Sequence, residues 1–384
     1  MKSKLMKMKK IFFLLALSFT ASLFAQADIK KDTISNYSKF LRNTSFYGLL
    51  QTRYLFSLTK DVDVTGTNIL DPDKLVTNSF SIRRAKLGLK TKVNDRFDLG
   101  LLLNFSEFNS SSLTGKVLEL AFVRYSHNKY LNIQMGQFRP YFGIEDEISS
   151  EFIKSLDFSN GYSLLGKNGW QNYQTGIAVY GNANNSKFPL KYYIGVTNGN
   201  SRGQETDNDK SKHAYARLEK EYPQNMKLGI NGGIGSYVNK SGSVLGVDIN
   251  KIFSLNKKWS LEVLTEYKEG TNFTEFGSSK LLPKPELKEF RFRDFYLNPI
   301  VRYQLNLPRL RSIEFSSRYE YLNPNYQLDG NIRQTLTPML NLEFADQYSA
   351  CLQLGAIIED YKNNIPLTSE FDHSTFFAQV QLRF

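Results

Sequence analysis

Thr375-Phe376-Phe377-Ala378-Gln379-Val380-Gln381-Leu382-Arg383-Phe384 closes the sequence and decides its fold. Taken in steps of two, one face carries Phe376, Ala378, Val380, Leu382 and Phe384, and the other carries Thr375, Phe377, Gln379, Gln381 and Arg383. Successive side chains of a strand point to opposite faces, so the segment reads as a strand with one apolar and one largely polar row. The same separation recurs upstream. Phe97, Leu99, Leu101, Leu103 and Phe105 oppose Asp98, Gly100, Leu102, Asn104 and Ser106, while Ala85, Leu87, Leu89, Thr91 and Val93 oppose Arg84, Lys86, Lys90 and Lys92. Trp259, Leu261, Val263, Thr265 and Tyr267 oppose Ser260, Glu262, Glu266 and Lys268, and Ile313, Phe315, Ser317, Tyr319 and Tyr321 oppose Glu314, Ser316, Arg318 and Glu320. An Arg or Lys facing lipid at midplane costs about 2–4 kcal/mol, and that penalty keeps charge on one parity of a membrane strand. A soluble β-sandwich also alternates, but its polar face need not end in so many aromatics.

Composition agrees. Aromatics reach 14%, with 29 Phe and 22 Tyr, yet mean hydropathy is slightly negative. No apolar run after residue 25 is long enough for a membrane helix. A transmembrane β-barrel reconciles these facts, because only alternate residues meet lipid and aromatic girdles mark both interfaces.

From Phe46 onward, sixteen strands are expected, near 46–58, 78–93, 96–108, 116–127, 130–139, 171–182, 187–198, 212–221, 226–238, 243–253, 258–269, 295–306, 311–322, 331–344, 347–359 and 375–384. Tight turns rich in Asn, Asp and Pro, such as Val93-Asn94-Asp95-Arg96, His127-Asn128-Lys129, Tyr222-Pro223-Gln224-Asn225, Asn256-Lys257 and Ala345-Asp346-Gln347, alternate strictly with mostly longer connections. Barrels of this class place short turns in the periplasm and longer loops outside, and an even strand number returns both termini to one side. Sixteen strands leave a water-filled lumen. Pro299 and Pro338 fall inside strands of a closed wall, so bulges or shifted boundaries are expected there. Strand 116–127 leaves its register open, since Glu119 and Arg124 lie on opposite parities.

The leading residues read as an export signal. Lys2, Lys4, Lys7, Lys9 and Lys10 precede the apolar run Ile11 to Phe19 and the small-residue stretch Ala21 to Ala27, with cleavage after Ala25 or as late as Ala27. The apolar core is too short to span a bilayer. The expected organisation is a signal at 1–25, a polar periplasmic lead-in at 28–45 with a helical turn or two around Tyr37 to Leu41, and a barrel over 46–384. Loss of residues 1–25 removes five lysines and no acid, so the formal charge falls from +12 to +7, with 44 basic residues against 37 acidic. That balance is too mixed for nucleic acid, whose partners carry a concentrated basic patch. Cys351 is the only cysteine, so no intrachain disulfide forms.

The candidate functional elements lie in the lumen. Inward parity supplies Arg53, Arg84, Lys86, Lys90, Arg217, Arg302, Arg318, Arg333 and Arg383, together with Glu219, Glu262, Glu266, Glu314, Glu320, Glu343 and Glu359. Two roles stand open for each: a guanidinium that hands anions along the pore, or one that pairs across strands and braces the wall. The longest connection, 140–170, follows Arg139 and holds Glu145, Asp146, Glu147, Glu151 and Asp157 against Lys154 and Lys167. Folded inward, it would narrow the pore and set an acidic surface against a basic wall, giving a transverse field. The alternative is a solvated outer loop. His127, His213 and His373 are scattered over a turn, a strand start and a loop, with no metal-ligand spacing. Neither a catalytic nucleophile motif nor a cofactor motif stands out, and the glycine-rich 229–235 sits mid-strand with no helix behind it.

Phe80-Ser81-Ile82-Arg83-Arg84-Ala85-Lys86-Leu87-Gly88-Leu89 and Met135-Gly136-Gln137-Phe138-Arg139-Pro140-Tyr141-Phe142-Gly143-Ile144-Glu145 resemble the second strand and the fifth-strand exit of the phosphate-selective porin O and P family. With the closing aromatic strand, the likeness spans nearly all of the chain after the signal. It implies a sixteen-stranded homotrimeric porin of the Gram-negative outer membrane, with 140–170 constricting each channel. The family's arginine ladder and lysine cluster are not matched residue by residue, and the loop is acidic instead. The expected function is therefore passive diffusion of small hydrophilic solutes, with anions such as phosphate as candidates. Outer-membrane lipids and the barrel-assembly machinery are the expected partners, the latter through an end, Phe376, Leu382 and Phe384, that resembles its recognition signal. An adhesin or enzyme barrel, or a soluble exported sandwich, are the alternatives.

Overall fold

The computed structural model describes residues 43–109, 117–183, 189–200 and 210–384. The signal and nearly all of the lead-in, including Tyr37 to Leu41, lie outside the described residues. The chain separates into two units, Met1–Ser45 and Phe46–Phe384, the second being the barrel.

Two strands, β1 (Thr44–Ser57) and β2 (Asn78–Lys92), precede a run of shorter ones: β3 (Phe97–Asn104), β4 (Leu118–Asn128), β5 (Leu131–Phe138), β6 (Gln174–Asn182), β7 (Leu190–Thr197) and β8 (His213–Tyr222). Next come β9 (Met226–Tyr237), β10 (Lys240–Ser254), β11 (Trp259–Thr271) and β12 (Arg291–Leu307). The set ends with β13 (Leu310–Asn323), β14 (Arg333–Ala345), β15 (Ala350–Tyr361) and β16 (His373–Arg383). All sixteen close into one antiparallel barrel, with β1 sealed to β16 from Leu49↔Arg383 to Ser57↔Thr375. Closure leaves no sheet edge to lipid. His127 lies within β4 and His373 opens β16, so neither sits in the turn or loop expected for it.

The burial pattern is inverted relative to a soluble sheet. On β16, Phe376, Val380, Leu382 and Phe384 are exposed while Gln379 and Gln381 are buried. Their neighbour Gln51 on β1 is buried too, its amide donating to Gln381 at 2.7 Å. Polar groups therefore face the enclosed side and apolar groups the outside, as a bilayer demands.

Asparagine shapes one rim of the barrel. Asn94 Oδ1 accepts the amides of Arg96 and Phe97, Asn128 Oδ1 those of Tyr130 and Leu131, and Asn256 Oδ1 those of Lys258 and Trp259. The short side chain substitutes for a backbone acceptor and reverses the chain tightly. At the opposite rim the connections are longer, with one departure from the expected alternation. β9 and β10 are joined by only Val238 and Asn239, both at positive φ, which matches the twist of a two-residue hairpin.

Neither proline shifts the register. Pro299 pairs with Val263 of β11, and on its other side the ladder omits two residues between Leu297↔Tyr319 and Ile300↔Ser316 without slipping. Pro338 pairs with Ser317, and the β14–β15 ladder resumes in register at Met339↔Gly355. Each missing N–H costs a local gap, and Gly355 leaves the room beside the Pro338 carbonyl that a Cβ would fill. The bulges expected there lie elsewhere. Between Leu102↔Leu120 and Leu103↔Leu118 the register shifts, leaving Glu119 as the extra residue. That shift resolves strand β4, because Glu119 and Arg124 both turn inward despite opposite parity.

A slip in the side-chain period also occurs in β2. Phe80 and Ile82 are exposed on the outer wall, where Phe80 stacks 4.7 Å from Tyr54, whereas Arg84 and Lys86 point inward. Arg83 and Arg84 both reach the same inner carboxylate, which consecutive residues of a regular strand cannot do.

Candidate functional site in the barrel lumen

The connection between β5 and β6 carries helix α1 (Asn160–Lys167), capped by the Ser159 hydroxyl, which accepts the amide of Tyr162. Its hydrogen bonds run to inward side chains around the barrel. The amide of Gly143 donates to Asn231 at 3.1 Å and that of Ile144 to Glu266 at 3.2 Å. Lys154 pairs with Glu262, while Asn160 donates to Glu320 at 2.6 Å and Thr335 at 2.9 Å. Gln381 donates to the Glu151 carbonyl at 3.1 Å.

The loop acids divide by role. Glu145 accepts the amide and hydroxyl of Ser159 and lies 3.6 Å from Lys268. Asp146 accepts from Phe142, Gln171 and Asn172, and Glu147 pairs with Arg217 at 3.3 Å and Lys227 at 3.0 Å. Burial pushes the Asp146 carboxyl up to about 7 against the opposing pull of Arg139. Burial together with neighbouring Glu219 does the same for Glu147, also to about 7. Arg139 spends its guanidinium on the carbonyls of Glu145 and Ile148. Asp146 and Arg139 thus hold the loop in its own shape, while Glu145 and Glu147 also tie it to Lys268, Arg217 and Lys227 of the wall.

Asp157 differs. Arg53 Nη1 reaches one of its oxygens at 2.9 Å, and Arg84 Nη2 and Arg83 Nε reach the other at 2.8 and 3.1 Å. Burial alone would raise this carboxyl, but the three guanidiniums hold it well below the usual carboxylate range. A cavity of about 150 Å³ opens beside it, lined by Arg83, Arg84, Lys86 and Arg139 together with Glu107 and Glu119. Lys86 pairs with Glu119 at 2.5 Å, and Lys90 lies 5.4 Å from the Tyr47 ring.

Four of the remaining inward arginines pair with wall carboxylates. Arg217 is fully enclosed between Asp248, at 2.5 Å, and Glu219, at 3.0 Å. Arg302 pairs with Glu343 and Glu314, Arg318 with Glu320 at 2.7 Å, and Arg333 with Glu359. Arg383 bonds the carbonyl of Gln347 at the rim. Arg217, Arg302, Arg318 and Arg333 are thus paired within the wall. Parity reasoning omitted Arg83, and only the period slip in β2 could have revealed it. Among the described residues no cluster of His, Cys, Asp and Glu is arranged to hold a metal.

Solved structures share this architecture. The chain is similar to the outer-membrane channel DcaP of Acinetobacter baumannii at 12% identity, covering 89% of this chain and 97% of that one with a TM-score of 0.57. It is similar to OmpT of Vibrio cholerae in its trimer form at 12% identity, 89% and 99% coverage and a TM-score of 0.53. An anion-selective porin from Comamonas acidovorans matches at 10% identity, 88% and 98% coverage and a TM-score of 0.55. At such identities the likeness speaks to fold. No curated protein matches the chain in sequence. The profile described as phosphate-selective porin O and P matches residues 58–250, half of the chain, and the chain belongs to that family.

Proposed function

We propose that this outer-membrane porin, a passive channel for small hydrophilic solutes, prefers anions, with Arg53, Arg83 and Arg84 as the selecting group and the 140–170 loop as its constriction. The observation that carries the reading is the convergence of three guanidiniums on one loop carboxylate. Arg217, Arg302, Arg318 and Arg333 each meet a carboxylate of the wall; here the charge is balanced by a loop carboxylate. An arginine fork suits phosphate or carboxylate oxygens, and a cluster with net positive charge raises local anion concentration. The family and fold describe a channel rather than an enzyme. Purified protein in a planar bilayer tests the proposal. Stepwise conductance with an anion-side reversal potential in a salt gradient, and block by added phosphate, are the expected results. A cation-side reversal potential would overturn the preference.

The homotrimer is proposed on wall height. β3, β5 and β7 have eight residues each, which at the usual rise and tilt span about 20 Å, less than the ~25 Å apolar band. Packing this low wall against other copies would spare it that mismatch.

Phe376, Leu382 and Phe384 are proposed as the assembly signal. Phe384 exchanges backbone hydrogen bonds with Gly48 at the seam, and its ring fills the space a Cβ on Gly48 would take. Deleting Phe384 should lower the folded, heat-modifiable fraction in membranes; unchanged assembly would count against the signal.

A further inference from the structure

On β10 the outward row runs Leu245, Val247, Ile249, Lys251 and Phe253, so a lysine interrupts four apolar residues. Its register partners are Met226 of β9 and Val263 of β11, and Val263 lies between Leu261 and Thr265 on that strand's outward row. Lys251 therefore stands on the outer wall and not in the lumen. It is one step inside Phe253, about 5 Å at the usual rise and tilt. Its ammonium turns back toward the rim, 5.3 Å from the centre of the Phe253 ring, and donates to the Gln224 carbonyl. At this level a lipid-facing cation costs about 0–1 kcal/mol, because the stem keeps its apolar contact while the head leaves the hydrocarbon.

The turns on either side are basic and hold no acid. Tyr222-Pro223-Gln224-Asn225-Met226, Ser254-Leu255-Asn256-Lys257-Lys258-Trp259 and Leu305-Asn306-Leu307-Pro308-Arg309-Leu310 add Lys257, Lys258 and Arg309, all exposed. Lys258 Nζ lies 5.9 Å from the centre of the Tyr303 ring, and Tyr303 is the register partner of Trp259. On β8, Lys220 Nζ lies 4.7 Å from the Tyr222 ring. Among the described residues no carboxylate lies within 4.0 Å of Lys251, Lys257, Lys258 or Arg309. The acids at the edges of this patch are engaged, Glu221 with Lys191 at 2.5 Å and Asp346 with Arg311 at 3.5 Å. Elsewhere on the same rim the signs mix, as where Asp95 precedes Arg96.

Apolar side chains are interleaved with these cations. Phe253, Leu255, Trp259 and Leu307 are all exposed at the same level. A water-borne anion would meet the ammonium groups and leave those side chains in water. A lipid headgroup meets both, with its phosphate on the cations and its glycerol and upper acyl chain on the rings and leucines. β10 and β12, with 15 and 17 residues, rise about 40 Å at the usual tilt and overtop the ~25 Å apolar band, so this tall face is suited to lipid where the low wall of β3, β5 and β7 is not.

We propose that Lys251, Lys257, Lys258 and Arg309 form a docking surface for anionic glycerophospholipids of the periplasmic leaflet. Charge complementarity and continuity with the lipid-facing row favour this occupant over a cell-wall polymer or a second copy. The inference depends neither on solute preference nor on the trimer.

The test uses the full barrel in vesicles whose two leaflets have the same composition, so the direction of insertion does not matter. The chain has two tryptophans: Trp170 is buried within the barrel, and Trp259 is 42% exposed in the patch. Tryptophan emission is read while a small fraction of phosphatidylcholine is replaced by a lipid brominated on its acyl chains. Brominated phosphatidylglycerol should quench several-fold more per mole than brominated phosphatidylcholine, and the difference should shrink in high salt. The joint variant Lys251→Gln, Lys257→Gln, Lys258→Gln, Arg309→Gln should bring the two lipids level while heat-modifiable migration is unchanged. The variant Lys251→Arg, Lys257→Arg, Lys258→Arg should keep the preference, since it keeps the charge. Equal quenching by the two lipids in the unaltered barrel would overturn the proposal, as would a preference that survives the Gln variant or one that is lost in the Arg variant as well. Co-sedimentation with peptidoglycan in place of a lipid preference would assign the surface to the cell wall and overturn it too.

Discussion

The β8–β14 face of the lumen and its β1–β2 face carry the same residue type to opposite ends. On the first, Arg217, Arg302, Arg318 and Arg333 each meet carboxylates fixed in the same wall. On the second, Asp157, which sits on a loop and is partly solvent-exposed, is the one carboxylate that pairs with Arg53, Arg83 and Arg84 among the described residues, their wall partners being the neutral Gln379 and Gln51. A guanidinium paired within the wall costs the fold dearly to remove and has little left to offer a solute. One paired to a loop exchanges partners more readily. The difference separates charges that hold the barrel from charges that act on its cargo.

Arg217→Ala leaves Asp248 and Glu219 buried without their cation, so stability should fall by about 3–5 kcal/mol, read as a lower unfolding midpoint in denaturant or heat. Barrels that still fold should keep their ion selectivity. The double variant Arg83→Gln, Arg84→Gln should do the reverse, with the unfolding midpoint nearly unchanged and the reversal potential moved several-fold toward cations in permeability ratio. Asp157→Asn removes the internal counter-ion. Chloride conductance and phosphate block should both strengthen modestly, and the loop should become easier to cleave by protease.

The smallest effect is on pH. Asp146 and Glu147 ionise near 7 in the docked loop but near their ordinary values of 3.8 and 4.5 once released. Docking is therefore favoured in full below about pH 4, and that contribution is lost as pH rises through about 7. Amide exchange in 140–170 should accelerate between pH 5 and 8 after correction for the intrinsic rate. Asp157 opposes this trend only in strong acid, since its carboxyl is held low.

Much of the fold was legible because lipid penalises charge at every outward position. The parity of Phe376 to Phe384 and the Asn turns at 94, 128 and 256 carry that information locally, and all sixteen strands follow from such runs. The prolines were legible as anomalies, but not in their solution. A gap in one ladder beside Gly355 depends on the neighbouring strand. Bulges were the main blind spot. A strict period of two sends Arg83 into lipid and leaves Glu119 and Arg124 in conflict, whereas the extra residue in β4 turns Glu119 and Arg124 inward and the slip in side-chain period of β2 lets Arg83 reach Asp157.

The candidate site was legible only in part. Arg53 and Arg84 were found by parity, and the loop by its length and its acids. Sequence could not sort Glu145 and Asp146, which hold the loop's shape, from Asp157, which meets the arginines, because all are carboxylates on one segment. By itself, the order of residues determined an outer-membrane barrel, its strand number and which side of each regular strand meets lipid, since those follow from nearest neighbours and a period of two. Only the tertiary structure decided which charges cancel, because pairing depends on residues more than a hundred positions apart, as Arg53 and Asp157 are, meeting within 3 Å.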